Sequence, residues 1–487
     1  MRTLETLNFD NSYARLPEQF YHRVDPKPLK GAHLIGFNTE VAGLLDLDPC
    51  QVTPQALARY FGGHEMLPGS EPLAMKYTGH QFGVYNPDLG DGRGLLLGEV
   101  VNAAGERWDL HLKGSGKTAF SRFGDGRAVL RSSIREYLAG EAMHGLNIPS
   151  TRGLCLIGSD DYTMREGMEP CAMLLRVSRC HIRFGHFEHF YYRRMHDDLK
   201  LLADYCIERY FPDLADDENP YRSMFVRVVD RTAALVARWQ ACGFVHGVLN
   251  TDNMSLLGET FDYGPYTFLD QYRPDYVSNQ NDHQGRYAFR GQPGVVLWNL
   301  ACLGQALLPL VPREDLETQL QRFTLLYEGY ELARFRERLG LEEVETGDAE
   351  LVERLKTLLA EQRIDLTRFF RRLCDFDGGE ASIEALMELW PDPSKLTDWL
   401  LQYRERLERE EGSDAQRRRR MRAVNPKYIL RNYMAEEAIR AAHQGDFGPV
   451  NDLMTVLRRP FDEQPEFERF AGEPPDWAGA ICLTCSS

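Results

Sequence analysis

"FVHGVLNTDNMSLLGETFDYG", residues 244–264, is the stretch on which the fold turns. Its expected shape is a tight hairpin, with residues 254–257 extended, Gly258 and Glu259 turning, and residues 260–261 returning. Such a hairpin brings Asp262 back beside Asn253. An amide oxygen next to a carboxylate suits Mg²⁺, which takes hard oxygen ligands and shares its shell between one or two protein groups and substrate phosphates. Asp252 adjoins the pair. Either it bonds its own backbone, as Asp in such turns does, or it takes a proton from a substrate hydroxyl within hydrogen-bond reach. The local sequence leaves both open.

The flanks give the loop a setting. "RSMFVRVVDRTAALVARWQACGF" (222–244) is an amphipathic helix ended by Gly243, a suitable C-terminal cap, and it leads straight into the loop. Upstream, "GRGLLLGEVVNAAGERWDLHLKG" (92–114) reads as two strands joined by a turn. In its second half Trp108, Leu110 and Leu112 alternate with Asp109, His111 and Lys113, the period of a half-buried strand. "DGRAVLRSSIREYLAGEAMHGL" (125–146) places Leu130, Ile134, Leu138 and Ala142 four apart, so a helix is expected over 127–146. "GLCLIGSDDYTMREG" and "PCAMLLRVS" add two strands. Beyond about residue 190 the pattern is helical; "PGVVLWNLACLGQALLPL" is a strongly apolar helix, and residues 311–450 are helical and highly charged.

Lys113 on a strand, Glu136 on the next helix, Asn253 on a loop and Asp262 beyond a hairpin is the order of a protein kinase. His246 and Asn253 stand at the separation of H-R-D-x-x-x-x-N, and Asp262-Tyr263-Gly264 at the place of Asp-Phe-Gly. Val248 occupies the position of the catalytic Asp. The expected fold is therefore α+β, two-lobed and protein-kinase-like. Residues 1–182 form a small lobe with an N-terminal extension, 183–310 a helical large lobe with the catalytic loop, and 311–487 a helical C-terminal extension. "HLKGSGKT" (111–118) is a decoy: His111 stands where the first glycine of a phosphate loop belongs.

Composition excludes several classes. The 487-residue chain is 43% hydrophobic and carries a formal net charge of -16, which argues against general nucleic-acid binding. No apolar run approaches the roughly 20 residues of a membrane span. The first residues carry acidic groups and no apolar core, so neither a signal nor a transit peptide is expected. Ten scattered cysteines in so long a chain fit a reduced, cytoplasmic protein.

Five blocks carry a wider resemblance: "YTGHQFGVYNPDLGDGRG", "DLHLKGSGKTAFSRFGDGRAVLRSSIREYL", "HGVLNTDNMSL", "FDYGPYTFLD" and "NPKYILRNYMAEEAI". Together they resemble the selenoprotein O family over essentially the whole chain. The resemblance implies a kinase-like fold that transfers AMP from ATP to Ser, Thr or Tyr hydroxyls of proteins, with the nucleotide reversed relative to ordinary kinases and pyrophosphate leaving. It implies that Gly90, Gly92, Arg93, Asp125, Gly126, Arg176, Arg183 and Asp262 attend ATP. Lys113, paired with Glu136, holds phosphates; Asn253 and Asp262 hold Mg²⁺, with Mn²⁺ the alternative. Asp252 becomes the proton acceptor, and Val248 fits a changed geometry.

Arginines make sense of this. Arg176 and Arg183 fall where a kinase has its adenine slot; guanidinium is poor company for adenine but binds phosphate through paired donors. The expected partners are ATP, hydroxyl-bearing proteins and a redox partner through Cys482 and Cys485, with neither nucleic acid nor membrane. Cys482 and Cys485 form a C-x-x-C, a redox couple or two idle thiols, and in some members of the resembling family selenocysteine stands at the place of Cys485. His181, His186 and His189 read as packing, and "RRRRMR" (417–422) as a charge-paired helix. Three rivals stay open: a phosphotransferase using Asp252 as base, a non-catalytic ATP-binding scaffold, and a redox protein led by Cys482 and Cys485.

Overall fold

The computed structural model describes residues 1–484, and its class is α+β. The strands expected from sequence form the centre of one antiparallel sheet. Its spatial order is Tyr21–Arg23, Leu73–Met75, Gly94–Val101, Arg107–Lys113, Met168–Ser178, Arg152–Met164 and His33–Phe37. Side chains alternate across it. Leu95, Leu97, Leu110, Leu112 and Leu175 pack on one face with Val41, Leu57 and Phe61 of two N-terminal helices. Leu96, Leu156 and Leu174 join Ile134 and Leu138 of the Leu130–Gly145 helix on the other.

Three local expectations need correction. The Arg107–Lys113 strand is not half-buried: Asp109, His111 and Lys113 are 5%, 1% and 6% exposed. Their row faces protein too, and acidic, basic and imidazole partners replace the water it would otherwise need. The helix starts at Leu130, not 127, because Ala128 and Val129 pair with the Met168–Ser178 strand. After Asn253 no hairpin ladder forms among the described residues. Ser255 bridges to Arg183 and Thr260 to Ser150, so the two arms pair with different neighbours. The chain still reverses, the Gly258 N–H donating to the Ser255 carbonyl at 3.3 Å.

The helix before the loop spans Pro220–Cys242; Asn219 caps its start and Gly243, at φ +73°, ends it. Gly114 and Gly116 turn the chain after Lys113 at φ +88° and +99°, and no helix follows until Leu130, so "HLKGSGKT" lacks a phosphate loop's strand–loop–helix continuity. The helices after 311 build a core of their own around Phe369, Trp399 and Tyr403. The chain then returns. The Gly448–Arg458 helix lies so close to the Leu130–Gly145 helix that a Cβ on Gly145 would sit 2.0 Å from the Leu457 carbonyl oxygen. Arg458 donates to Glu141 at 3.0 Å, and Arg135 to Asn432 at 3.4 Å. The helix bearing Glu136 is thereby clamped from its far side. Among the described residues no helix is long and apolar enough to cross a membrane.

Candidate active site

Where the sheet's inner face meets the loop, its side chains change from apolar to charged. Register sets the arrangement: His111 lies across from Arg176, and Lys113 across from Gly94. Arg176 donates to His111 Nδ1 at 2.8 Å, which leaves the imidazole proton on Nε2 to bond Asp91 at 3.1 Å. Burial, with Arg176 and Arg183 nearby, holds the His111 pKa well below its ordinary value, so the ring is neutral. Lys113 Nζ donates to Glu136 Oε2. Burial pushes the Lys113 pKa down to about 8 even against that partner. Burial alone would raise Glu136, but Lys113 and Arg176 outweigh it and hold the carboxyl below its usual range. The pair is ionised at neutral pH.

Asp262 is the meeting point. It sits at φ +57°, a left-handed conformation that Asp tolerates better than most residues. Arg176 reaches its Oδ1 at 2.6 Å and Arg183 its Oδ2. The Arg183 guanidinium lies between the rings of Tyr77 and Phe261, 4.8 and 4.6 Å from their centres. It also donates to the Asp252 carbonyl at 2.7 Å. Both arginines are almost wholly buried, their side chains 4% and 3% exposed.

Asp252 itself is buried, and that burial raises its carboxyl to about 6 against the pull of Arg183. Gln81 donates to Oδ2 at 3.3 Å, while Oδ1 has no hydrogen-bond partner among the described residues. Asn253 donates its amide to the Val248 carbonyl at 3.0 Å, which leaves its side-chain oxygen as a spare acceptor. Val248, Asp252, Asn253 and Asp262 line one cleft of about 510 Å³ with Lys113, Arg176 and Arg183. That volume suits a nucleotide-sized ligand.

The remaining residues singled out from sequence border the same cleft. Gly90, Gly92, Arg93, Asp125 and Gly126 are on its wall. A Cβ on Gly92 would come within 2.8 Å of the Phe120 carbonyl oxygen, so the wall tolerates no side chain there. Arg93 is exposed and its side chain has no ion-pair partner among the described residues. Asp125 is engaged already: Arg165 donates to it at 2.8 and 3.0 Å, and the Arg127 N–H at 2.9 Å. Glu136 stands behind, touching the cleft through Lys113 and Arg176.

The family described as "protein adenylyltransferase SelO" matches residues 3–458. The chain belongs to that family. A protein nucleotidyltransferase YdiU of Hahella chejuensis is 58% identical, the match covering 100% of this chain and 99% of the relative. Those of Stutzerimonas stutzeri and Myxococcus xanthus are 52% and 50% identical over the full length of both chains. The protein is thus an enzyme, a nucleotidyltransferase of the adenylyltransferase kind, with ATP as its substrate.

Sequence reasoning missed the segment that supports Asp252. The Gly79–Gln81 strand lies against the Thr251–Asn253 turn, and a Cβ on Gly79 would sit 2.9 Å from Asp252 Oδ1. The His80 N–H donates to Thr251 Oγ1 at 2.7 Å, and Asn250 accepts from Tyr287 at 2.7 Å. Asp91 and His111 were likewise passed over. Gly79, His80, Gln81 and Asp91 lie in the quoted block at 77–94 and His111 in the one at 109–138, but nothing local ties them to their partners. Of the histidines at 181–189, His181 bonds Asp109 at 3.1 Å and His186 accepts the Arg183 N–H at 3.0 Å, as packing residues do. The basic run is charge-paired: Arg417 meets Asp414, Arg420 meets Glu342, and Arg422 meets Asp375. Cys482 is exposed, while Cys485 lies outside the described residues.

Proposed function

We propose that the enzyme is a two-lobed, kinase-like AMP transferase that binds ATP reversed and modifies Ser, Thr or Tyr hydroxyls of proteins in the cytoplasm, releasing pyrophosphate. The lobes are residues 1–182 and 183–310, and 311–487 the extension. One observation carries the reading. Val248 occupies the place of a kinase's base, while Asp252, four positions on, is buried in the cleft with one carboxylate oxygen unbonded and its pKa raised to about 6. A base that titrates near neutrality and retains a free lone pair is suited to proton transfer.

Reversal follows from the arginines. Two buried guanidiniums at the inner end of the cleft favour phosphate over adenine. The terminal phosphates then lie at Arg176 and Arg183, which leaves the α-phosphorus nearer Asp252. Lys113, held by Glu136, offsets charge on the leaving pyrophosphate. Arg93, without an ion partner, adds charge at the mouth. The donor set fits Mg²⁺ or Mn²⁺: the spare oxygen of Asn253 and the carboxylate of Asp262. When bound, the metal neutralises and orients the phosphates. ATP competes for the two guanidiniums that now occupy Asp262, which frees a carboxylate oxygen for the cation. The hydroxyl proton passes to the Asp252 carboxylate as the hydroxyl oxygen attacks phosphorus and the bond to pyrophosphate breaks. Redox control through Cys482 and Cys485 is a separable part of the proposal.

The test uses ATP labelled at the α- or the γ-phosphate, with the full chain, Mg²⁺ and a lysate, under reducing and oxidising conditions. Covalent label from α alone, with pyrophosphate released, is the expected result. Label from γ alone would restore the phosphotransferase reading and remove the reversal. ATP binding without transfer of either label in both redox conditions would leave a scaffold.

A further inference from the structure

Behind the catalytic loop, away from the nucleotide cleft, three potential metal ligands from distant parts of the chain converge. His80 lies on the Gly79–Gln81 strand, Glu188 in the Phe184–Tyr192 helix, and Cys302 in the Gln292–Ala306 helix. One ligand atom from each falls within 4.8 Å of the others. We propose that these three residues form a structural site for a borderline-soft divalent ion, Zn²⁺ being the best fit, that braces the strand holding Asp252.

Three observations support it. First, the donor set is imidazole, carboxylate and thiol, which matches zinc and disfavours Mg²⁺ or Ca²⁺, both of which take oxygen. Second, Glu188 is a carboxylate with 0% side-chain exposure whose Oε1 has no hydrogen-bond partner among the described residues. Among the described residues its other oxygen meets only the His80 Nδ1, at 2.8 Å. A buried carboxylate left half-satisfied costs free energy unless a cation or donor completes it. The hydrogen bond with His80 gives partial relief; an ion between the three residues would satisfy it fully. Third, the surroundings are those of a built site. His80 is fixed edge-on against Trp298, 5.2 Å between ring centres, and packs on Tyr85 and Tyr192 at 5.3 and 5.9 Å. His80 retains 12% exposure, which supplies an entry path, while Cys302 is 7% exposed.

Its consequence for the enzyme is positional. The His80 N–H bonds Thr251, and its neighbour Gln81 bonds Asp252. An ion here would tie that strand to two helices that are far from it in sequence. On binding, the Cys302 thiol proton leaves to solvent, the neutral His80 ring carries its one proton on the nitrogen that does not bond the ion, three protein ligands bond the ion, and water takes the fourth position. No oxidation is involved.

The test uses the full-length protein stripped with chelator and then given Co²⁺ or Zn²⁺. Cobalt bound through Cys302 gives a thiolate-to-metal absorption band. The expected result is that band in the parent protein and in Asp262→Ala, its loss in Cys302→Ser, and about one equivalent of tightly held zinc falling at least tenfold in Cys302→Ser and His80→Ala. Absence of the band from the parent protein overturns the site whatever the variants do. A band that survives Cys302→Ser but disappears in Cys482→Ser assigns the metal to the C-terminal tail and also overturns it. Because the first reading is made on the parent chain, a variant that misfolds cannot rescue the proposal. Loss of AMP transfer would not bear on the result, since none of the readouts is activity.

Discussion

In the helical extension Arg406 donates to Asp348 at 2.7 Å, Arg336 meets the other oxygen of the same carboxylate at 2.9 Å, and the Glu345 N–H adds a third bond at 3.0 Å. In the cleft Arg176 and Arg183 hold Asp262 in much the same way. Both carboxylates accept two guanidiniums, and both sets of arginines are buried or nearly so. The difference lies in what surrounds them. Asp348 and its partners do not line the cleft, and loop backbone shares in the network, as when Arg406 donates to the Glu343 carbonyl at 2.7 Å. Around Asp262 the same chemistry borders a void, with a spare amide oxygen at Asn253 and an unbonded oxygen on Asp252. Buried ion pairs alone do not mark a site. Buried ion pairs beside empty space and unused lone pairs do.

That contrast is broken most directly at Asp262. Asp262→Ala should lower AMP transfer by about 10³-fold, the upper end of what one preorganised electrostatic contact supplies. It should also abolish metal-dependent ATP binding, read by calorimetry with and without Mg²⁺. Full transfer in this variant would remove the metal assignment. The next effect is at the base. Asp252→Asn preserves shape and the Gln81 contact, and should reduce kcat by about 10²-fold with ATP affinity nearly unchanged. A large loss of affinity with kcat retained would make Asp252 a binding residue.

The pH dependence sharpens the same point by a smaller amount. Asp252 accepts a proton only when ionised, and burial has raised its pKa to about 6. Lys113 serves phosphate only when protonated, and burial has lowered its pKa to about 8. In the free enzyme kcat/KM should therefore rise through pH 6, level off, and fall above pH 8, by about tenfold per unit on each limb. In Asp252→Asn the acid limb should disappear and the alkaline limb remain. An unchanged acid limb would assign it to another group.

How much of this was legible in the sequence follows from the range of the interactions. Lys113, Glu136, Asn253 and Asp262 could be read because their order along the chain is itself a pattern, and the strand and helix periods that carry them are local. Gln81, His80 and Asp91 could not. Each acts through a partner far away in sequence, such as Thr251 for His80 and His111 for Asp91. The hairpin failed for the same reason. Residues 254–261 contain a good turn, but the backbone at Leu256 donates to the Ile182 carbonyl at 3.1 Å and that at Thr260 to Pro149 at 2.8 Å. Tertiary partners took the bonds that a local ladder would have used.

The smallest effect on transfer should come from the extension, where stability should change more than transfer. Asp348→Ala removes the acceptor from Arg406 and Arg336, whose side chains are 3% and 12% exposed. Breaking a buried ion pair costs up to about 3–5 kcal/mol; Arg406 keeps Glu410 at 2.7 Å and Arg336 the Glu342 carbonyl at 2.8 Å, so the urea midpoint should fall by less than that ceiling but measurably. Transfer per folded molecule should be unchanged, because nothing near Asp348 borders the cleft. The measurement is activity corrected for the folded fraction, taken on the same samples as the unfolding curve. There is one physical route by which it could come out otherwise. Arg431 bridges Asp270, on the segment that follows the Asp262 loop, to Asp365 in the extension at 3.0 and 2.6 Å. If Asp348→Ala lowers transfer in folded protein, that bridge is the first connection to cut, with Arg431→Met. Coupling through it would make the extension part of the catalytic machinery, and the division between the two charge networks would fail.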